Sequence, residues 1–97
     1  MIKNTFDISD FVPAQSLTGT VYELVKREKA ARKAKKLTQK QLAERTGVSY
    51  GSIRRFEQTG EISLFSLVKI ANALDCLEDF NELFKKPPVT NIRDLKL

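Results

Sequence analysis

Two adjacent arginines, Arg54 and Arg55, follow a three-residue break in the chain and carry the side-chain chemistry needed to read a base edge. On a helical projection of about 100° per residue that starts at Tyr50, both fall with Gly51 and Gln58 in one sector of about 140°. Arginine pairs bidentately with guanine edges and glutamine with adenine edges, so this face has the composition of a major-groove reader. The alternative is an ordinary exposed helix face. An ordinary exposed face would gain little from adjacent like charges, and a glycine in it would cost about 1 kcal/mol of helix stability.

The positive charge of the chain is concentrated in the same region. Residues 26–55 carry eleven Lys and Arg against two acids, Glu28 and Glu44, whereas the rest of the chain has six basic and ten acidic residues. A local excess of this size favours a polyanionic partner, because without one it only adds self-repulsion. A solvated basic helix face is the alternative.

The composition argues against an enzyme. The chain has no histidine and one cysteine, Cys76, so neither a His/Cys zinc site nor a nucleophile–histidine pair can be built. The acids Glu78, Asp79 and Glu82 have the spacing of a solvated face on a short helix, and no glycine-rich phosphate loop is present. We therefore expect no catalysis, no metal and no cofactor.

The chain also lacks the sequence features of a membrane or exported protein. No apolar run approaches the roughly 20 residues of a membrane span, and the first ten residues lack the basic and apolar regions of a secretory signal. A single cysteine forms no internal disulfide. We expect a soluble protein of the cytoplasm without a membrane partner.

Five short helices are predicted to position the arginines. Capping residues divide the chain after the first helix: Thr38 with Gln41 forms a capping box, Gly47 suits a left-handed helix end, and Ser49 and Ser63 are natural N-caps. The predicted helices cover about residues 20–36, 39–46, 50–58, 64–74 and 78–84.

The helical domain is expected to cover residues 16–85, between an N-terminal arm of residues 1–15 and a C-terminal tail of residues 86–97. Within it, residues 38–58 form two helices joined by a three-residue break, and so short a turn forces them to cross steeply in helix-turn-helix geometry. The side chains expected to point inward are Leu42, Ile53, Phe56, Leu67, Leu74, Phe80, Leu83 and Phe84.

Residues 37–84 resemble the Cro/phage-repressor (Xre) helix-turn-helix family. The match lies in Gln39 at the start of the second helix and in the glycine and apolar positions of the motif, which are Leu42, Ala43, Gly47, Val48, Ile53 and Phe56. The resemblance implies an all-α, five-helix lambda-repressor-like DNA-binding domain with short N- and C-terminal arms. It also implies that the helix from Tyr50 reads bases and that helix N-termini near Gln39 and Ser49 contact phosphate.

The residues expected to contact DNA on this basis are Lys36, Gln39, Lys40, Ser49, Tyr50, Gly51, Ser52, Arg54, Arg55 and Gln58. The resemblance further implies an ion pair between Arg32 of the first helix and Glu57 of the recognition helix. Glu57 lies at about 340° on the projection, away from the reading side, which favours this pair over a free surface acid. Three residues depart from the family pattern. Gly51 stands where relatives often have a base-reading side chain, Glu61 where they often have a basic group, and Glu28 where they usually have an apolar residue.

A narrower resemblance, in TGEISL (59–64) and DFNELF (79–84), is to HipB-like antitoxins, Xre proteins that partner HipA-type kinase toxins. It implies a repressor of its own operon that also binds a kinase. A homodimer on a palindromic double-stranded operator is expected, because one helix-turn-helix reads too few base pairs to be selective. Apolar residues of the arm and tail are candidates for its interface. The alternative function is a protein-binding adaptor or inhibitor whose basic face is incidental.

Overall fold

The computed structural model describes residues 16–87, so the predicted arm and most of the predicted tail lie outside the described residues. Residues 16–87 contain helices and no strand, which confirms the expected all-α fold. The elements are α1 (Leu17–Ala34), α2 (Gln39–Thr46), α3 (Tyr50–Thr59), α4 (Leu64–Ala73) and a 3-10 helix (Leu77–Glu82). The division of the chain into arm, domain and tail stays a prediction.

Hydrogen bonds at the helix ends explain where α2 and α3 begin and stop. Gln41 N donates to Thr38 Oγ1 at 3.0 Å while Thr38 N donates to Gln41 Oε1 at 2.8 Å, which completes the predicted capping box. Gly47 ends α2 with a φ of 77°, and Ser52 N donates to the N-cap Ser49 at the start of α3. The three-residue break is therefore a left-handed end followed at once by a new N-cap.

α1 begins earlier than the spacing of its apolar residues predicts. Gly19 N donates to Ser16 Oγ at 2.9 Å, so Ser16 caps the helix and its first residue is Leu17 rather than one near residue 20. α1 ends at Ala34, two residues before the predicted end at Lys36, whose φ of 60° is left-handed. The buried residues of α1 are Gly19, Val25, Glu28 and Arg32, so its inner face carries two charged side chains.

The predicted fifth α-helix is a 3-10 helix, and two side chains assigned to the core from its pattern lie in solvent. Leu83 is 57% exposed and Phe84 is 96% exposed. The chain leaves helical geometry at Leu83, which is extended with φ −67° and ψ 130°, and Phe84 has a φ of 59°. The prediction for these two residues was wrong because the backbone turns away before either can pack.

The core lies between α2, α3 and α4. Its buried apolar side chains are Leu37, Leu42, Val48, Ile53, Ile70 and Leu74, and Phe56 is 1% exposed. The predicted core residues Leu67 and Phe80 are only half-buried, because they line a groove between α1, α4 and the 3-10 helix. Burial of each large apolar side chain contributes about 1.5–3 kcal/mol, so this core fixes the orientation of α3.

The chain leaves α3 through Gly60, which packs closely against α1. Gly60 has a φ of 84°, and its N–H donates to Phe56 O at 2.8 Å. A Cβ atom at this position would overlap Val21 Cγ1 of α1. The lack of a side chain therefore determines how closely the end of α3 can approach α1.

Candidate nucleic-acid interface

One face of α3 is buried and the other is exposed. Ile53, Phe56 and Glu57 are buried against the rest of the domain. The exposed residues of the helix include the six predicted to contact DNA, which are Tyr50, Gly51, Ser52, Arg54, Arg55 and Gln58. We refer to these six residues as the reading face. They form a polar, positively charged surface on a helix that a packed core holds from the other side.

Three of the residues predicted to contact DNA already make hydrogen bonds within the domain. Ser49 Oγ accepts from Ser52 N at 3.0 Å and donates to Ser52 Oγ at 2.8 Å. Gln39 Nε2 donates to Glu57 Oε1 at 2.9 Å. The donors left for an anion at these helix starts are therefore backbone N–H groups of the first turns rather than the Gln39 amide.

Two lysines extend the positive surface from α3 to the start of α2. Lys40 Nζ lies 5.4 Å from the centroid of the Tyr50 ring, a cation–π distance that links the two helices. Lys36 is exposed in the turn that precedes α2. Both amino groups can approach a phosphate that lies beside the reading face.

The two adjacent arginines of the reading face have different surroundings. Arg55 Nη2 donates to Glu61 Oε1, a carboxylate in the turn after α3. Arg54 forms no side-chain hydrogen bond and no ion pair with the residues that the structure describes. Arg55 therefore has a carboxylate partner at the surface, where both side chains stay mostly exposed, and Arg54 has none among residues 16–87.

A buried ion pair connects α1 to the recognition helix. Arg32 Nε donates to Glu57 Oε2 and Arg32 Nη2 donates to Glu57 Oε1, both at 2.9 Å, in a bidentate pair. Arg32 Nη1 also donates to Leu37 O at 2.9 Å. Arg32 and Glu57 are each 7% exposed. The structure thus brings together the two residues that the resemblance pairs. Their contact holds α3 against α1 and the turn before α2.

The fold around this surface is two short helices joined by a three-residue turn, with the second helix exposed along a basic face. A family model described as helix-turn-helix matches residues 29–80, just over half of the chain. The chain belongs to the Xre-like helix-turn-helix family. The family is one of DNA-binding regulatory domains of transcription regulators, and it is not an enzyme family. Neither curated proteins nor solved structures give a significant match.

The helix-turn-helix domain holds a second buried acid, Glu28, beside the ion pair. Neither carboxylate oxygen of Glu28 meets a hydrogen-bond donor within residues 16–87. Burial, together with the neighbouring Glu57 carboxylate, raises the pKa of Glu28 from 4.5 to about 8, although Arg32 and Lys29 oppose the shift. A neutral Glu28 can donate its own proton to Glu57, which supplies the missing hydrogen bond.

Glu57 shifts in the opposite direction. Its burial by itself raises the pKa, but hydrogen bonds from Arg32, Glu28 and Gln39 outweigh burial and bring the pKa below its usual value. Glu57 is therefore the charged carboxylate of the two, and Glu28 is the neutral one. Sequence reasoning noticed that Glu28 occupies an apolar position but missed this role, since the proximity of residues 28 and 57 exists only in the folded chain.

The raised pKa of Glu28 gives a testable pH dependence. The unfolded chain releases this proton near pH 4.5 and the folded chain near pH 8. The stabilising contribution is therefore complete below pH 4.5 and lost as pH rises to 8, by up to about 1.4 kcal/mol per pH unit. The variant Glu28→Gln should remove this loss and exceed the parent in stability at about pH 8.5.

Urea unfolding of the parent and the variant across this pH range checks the prediction. Glu44→Gln is the matched control, because Glu44 lies exposed on α2 and its replacement should leave the pH profile unchanged. If Glu28→Gln and the parent lose stability in parallel between about pH 5 and pH 8, Glu28 is not the group that titrates.

Neither a metal site nor a membrane span is found in the described part of the chain. Within residues 16–87, no three His, Cys, Asp or Glu side chains are grouped so that they could hold a metal ion. No helix of that range is long and apolar enough to cross a membrane.

Proposed function

We propose that this Xre-like protein is a sequence-specific transcriptional repressor that acts in the cytoplasm and binds a palindromic double-stranded operator as a homodimer. The observation that carries the proposal is the reading face, which presents Arg54, Arg55 and Gln58 on a helix fixed by the Arg32–Glu57 pair. A bound repressor blocks transcription by occupying its operator, and this requires no catalytic group.

The proposed contacts divide into two classes. α3 enters the major groove, where Tyr50, Arg55 and Gln58 reach base edges and Gly51 allows close approach of the helix. Phosphates on both sides are bound at the starts of α2 and α3, by the lysines and by Arg54. The residues in this second class are Lys36, Gln39, Lys40, Ser49, Ser52 and Arg54. Base contacts supply sequence preference, and phosphate contacts supply most of the affinity.

Salt dependence tests the DNA-binding mode directly. The logarithm of the affinity should fall linearly with the logarithm of salt concentration, with a slope of about −0.9 for each phosphate neutralised. Fluorescence anisotropy with a labelled duplex of random sequence measures the slope between about 50 and 200 mM salt. Lys36→Ala should make the slope less steep by about 0.9 for each protomer bound, or about 1.8 for the homodimer, because the variant neutralises one phosphate fewer in each protomer.

Lys85→Ala is the control for this measurement. Lys85 follows the 3-10 helix and pairs with Glu82 at 3.7 Å, so its loss should leave the slope unchanged. A parent protein whose binding does not respond to salt would contradict the proposal and favour the protein-binding adaptor.

The homodimer needs an interface, and the described residues offer an apolar groove of about 430 Å³ between α1, α4 and the 3-10 helix. Its walls include Leu24, Leu64, Leu67, Phe80 and Leu83, and Leu64 is 68% exposed. Exposed apolar surface of this kind marks an association site. The apolar residues of the arm and tail stay candidates for the same role.

Sedimentation analysis of three variants separates these interfaces. Removal of residues 1–15 or of residues 86–97 should weaken the dimer if the arm or the tail forms the contact. Leu64→Asp should weaken it if the groove does, since a charge would then be buried without a partner. Lys69→Asp, at an exposed position of α4 outside the groove lining, is the control. A parent protein that sediments as a monomer at every concentration contradicts the homodimer.

The finer part of the proposal is that this repressor is an antitoxin that binds a HipA-type kinase and represses its own operon. It is supported by the resemblance in residues 59–64 and 79–84. These segments contain the exposed side chains of Leu64 and Phe84, which a protein partner could cover. Co-expression with a kinase of this type encoded beside it should give a complex in size-exclusion chromatography. A kinase that elutes alone contradicts the antitoxin role without affecting the repressor proposal.

A further inference from the structure

We infer that Glu61 is a specificity-determining residue, because its carboxylate holds the Arg55 guanidinium so that Arg55, and not its neighbour Arg54, reads a base. This inference rests on the proposed function. It is carried by a contact between two residues on opposite sides of the turn that ends α3, Arg55 Nη2 with Glu61 Oε1.

The backbone of Glu61 is fixed to the same helical turn that carries Arg55. Thr59 Oγ1 donates to Arg55 O at 2.8 Å and accepts from Glu61 N at 3.1 Å. Gly60 N donates to Phe56 O at 2.8 Å, so the intervening residue is fixed as well. The carboxylate therefore approaches Arg55 from a defined direction and not from a loose loop.

The contact leaves Arg55 able to bind a base. A guanidinium has five N–H donors, and one donor of Nη2 suffices for Glu61. Whichever Nη2 proton is used, one complete two-donor edge of the guanidinium is left for guanine O6 and N7. A side chain already held in one orientation loses less freedom when it binds, so the bidentate contact is favoured over other poses.

The same carboxylate disfavours non-specific contacts. On DNA without the preferred base, Arg55 would otherwise turn toward a phosphate, and Glu61 opposes this because its own charge is repelled by the phosphate backbone. Arg54 has no carboxylate partner within residues 16–87 and is free to bind phosphate. One acid thus gives two adjacent arginines different roles.

The experiment is selection of bound duplexes from a random-sequence library, followed by sequencing, for the parent and four variants. Arg55→Ala should erase the preference at one position of each half-site, where a bidentate contact discriminates by about 5- to 150-fold. Glu61→Ala should weaken the preference at that same position by up to about 5-fold and leave the others, since the pair is exposed. Glu61→Gln, which keeps a neutral acceptor, should weaken it less. Arg54→Ala should leave every preferred position and weaken all sequences alike.

Anisotropy with a random duplex supplies the second measurement. Both Glu61 variants should bind it roughly 2- to 5-fold more tightly, since a surface charge that repels phosphate is gone. Glu44→Ala removes an exposed acid from α2 and is the control for charge alone, because it should not alter the preferred bases. Thermal melts of each variant by circular dichroism check that the fold is intact.

Two results overturn the inference separately from the proposed function. If the parent selects a motif and Glu61→Ala selects the same motif with equal strength, Glu61 does not position Arg55 and the repressor proposal stands. The inference also fails if Arg54→Ala, and not Arg55→Ala, erases a position. If the parent selects no motif and its binding does not depend on salt, both fail together.

Discussion

Replacement of Arg32 by alanine should lower the free energy of unfolding by about 3–5 kcal/mol. Arg32 donates three hydrogen bonds inside the domain, two to the Glu57 carboxylate and one to Leu37 O. Its removal leaves Glu57 charged, buried and without its main partner. Protonation of Glu57 limits the loss, so the largest effect is expected near neutral pH and a smaller one in acid.

Urea unfolding measures this loss, and Arg27→Ala in the same helix is the control. Arg27 is exposed, and its removal should change stability by less than about 0.5 kcal/mol. A double-mutant cycle with Glu57→Ala should show coupling, because each substitution removes the same interaction. Independent, additive losses would contradict the claim that the two side chains stabilise each other.

The second large effect is expected for Gly60→Ala, which should cost about 2–5 kcal/mol. The left-handed backbone of Gly60 by itself costs a residue with a Cβ roughly 1–2 kcal/mol. Overlap of that Cβ with Val21 adds a cost of overpacking, about 1–3 kcal/mol. The substitution should also displace α1 from the end of α3 and so weaken DNA binding.

The other glycines provide matched controls. Gly47 has a φ of 77° but open space around a Cβ, so Gly47→Ala should show the backbone cost alone. Gly51 lies within α3 with open space, and Gly51→Ala should stabilise the protein by about 0.5–1 kcal/mol. The pair Val21→Ala with Gly60→Ala should recover the overlap cost. Equal losses for Gly60→Ala and Gly47→Ala in urea unfolding would show that the overlap is relieved without cost.

The parts of the fold that could be predicted from sequence are those decided by neighbours along the chain. Thr38, Gly47, Ser49 and Ser63 each fix a helix end through a bond to a residue three or four positions away, and such patterns are readable one segment at a time. The break between α2 and α3 followed from two such signals in succession. The separation of the buried and exposed faces of α3 followed from the helical spacing of its apolar and polar residues alone.

The features that were missed depend on which distant segments meet. The apolar pattern of Phe80, Leu83 and Phe84 fits an α-helix equally well, and only the packed chain determines that a 3-10 helix forms and then turns outward. The raised pKa of Glu28 depends first on its burial and then on the Glu57 carboxylate, 29 positions along the chain. These outcomes are set by tertiary contacts, which override local preference.

The candidate site shows the same division. The composition of the reading face and the basic charge around it were evident from residue types and spacing. Two interactions that change the roles of predicted residues were not evident. The Gln39 side-chain amide donates a hydrogen bond to the Glu57 carboxylate, and the Arg55 guanidinium donates one to Glu61 across the turn after α3. Both depend on side-chain directions in the folded domain, which residue spacing alone does not give.

The division of α3 between two faces has a consequence for how such a regulator diverges. Ile53, Phe56 and Glu57 keep the helix in place, while the exposed positions contribute little to the core. A duplicated copy of the protein could therefore exchange exposed residues of α3 and acquire a different target without passing through unfolded intermediates. A cell that carries several such copies could therefore keep their DNA targets distinct through substitutions on this one surface.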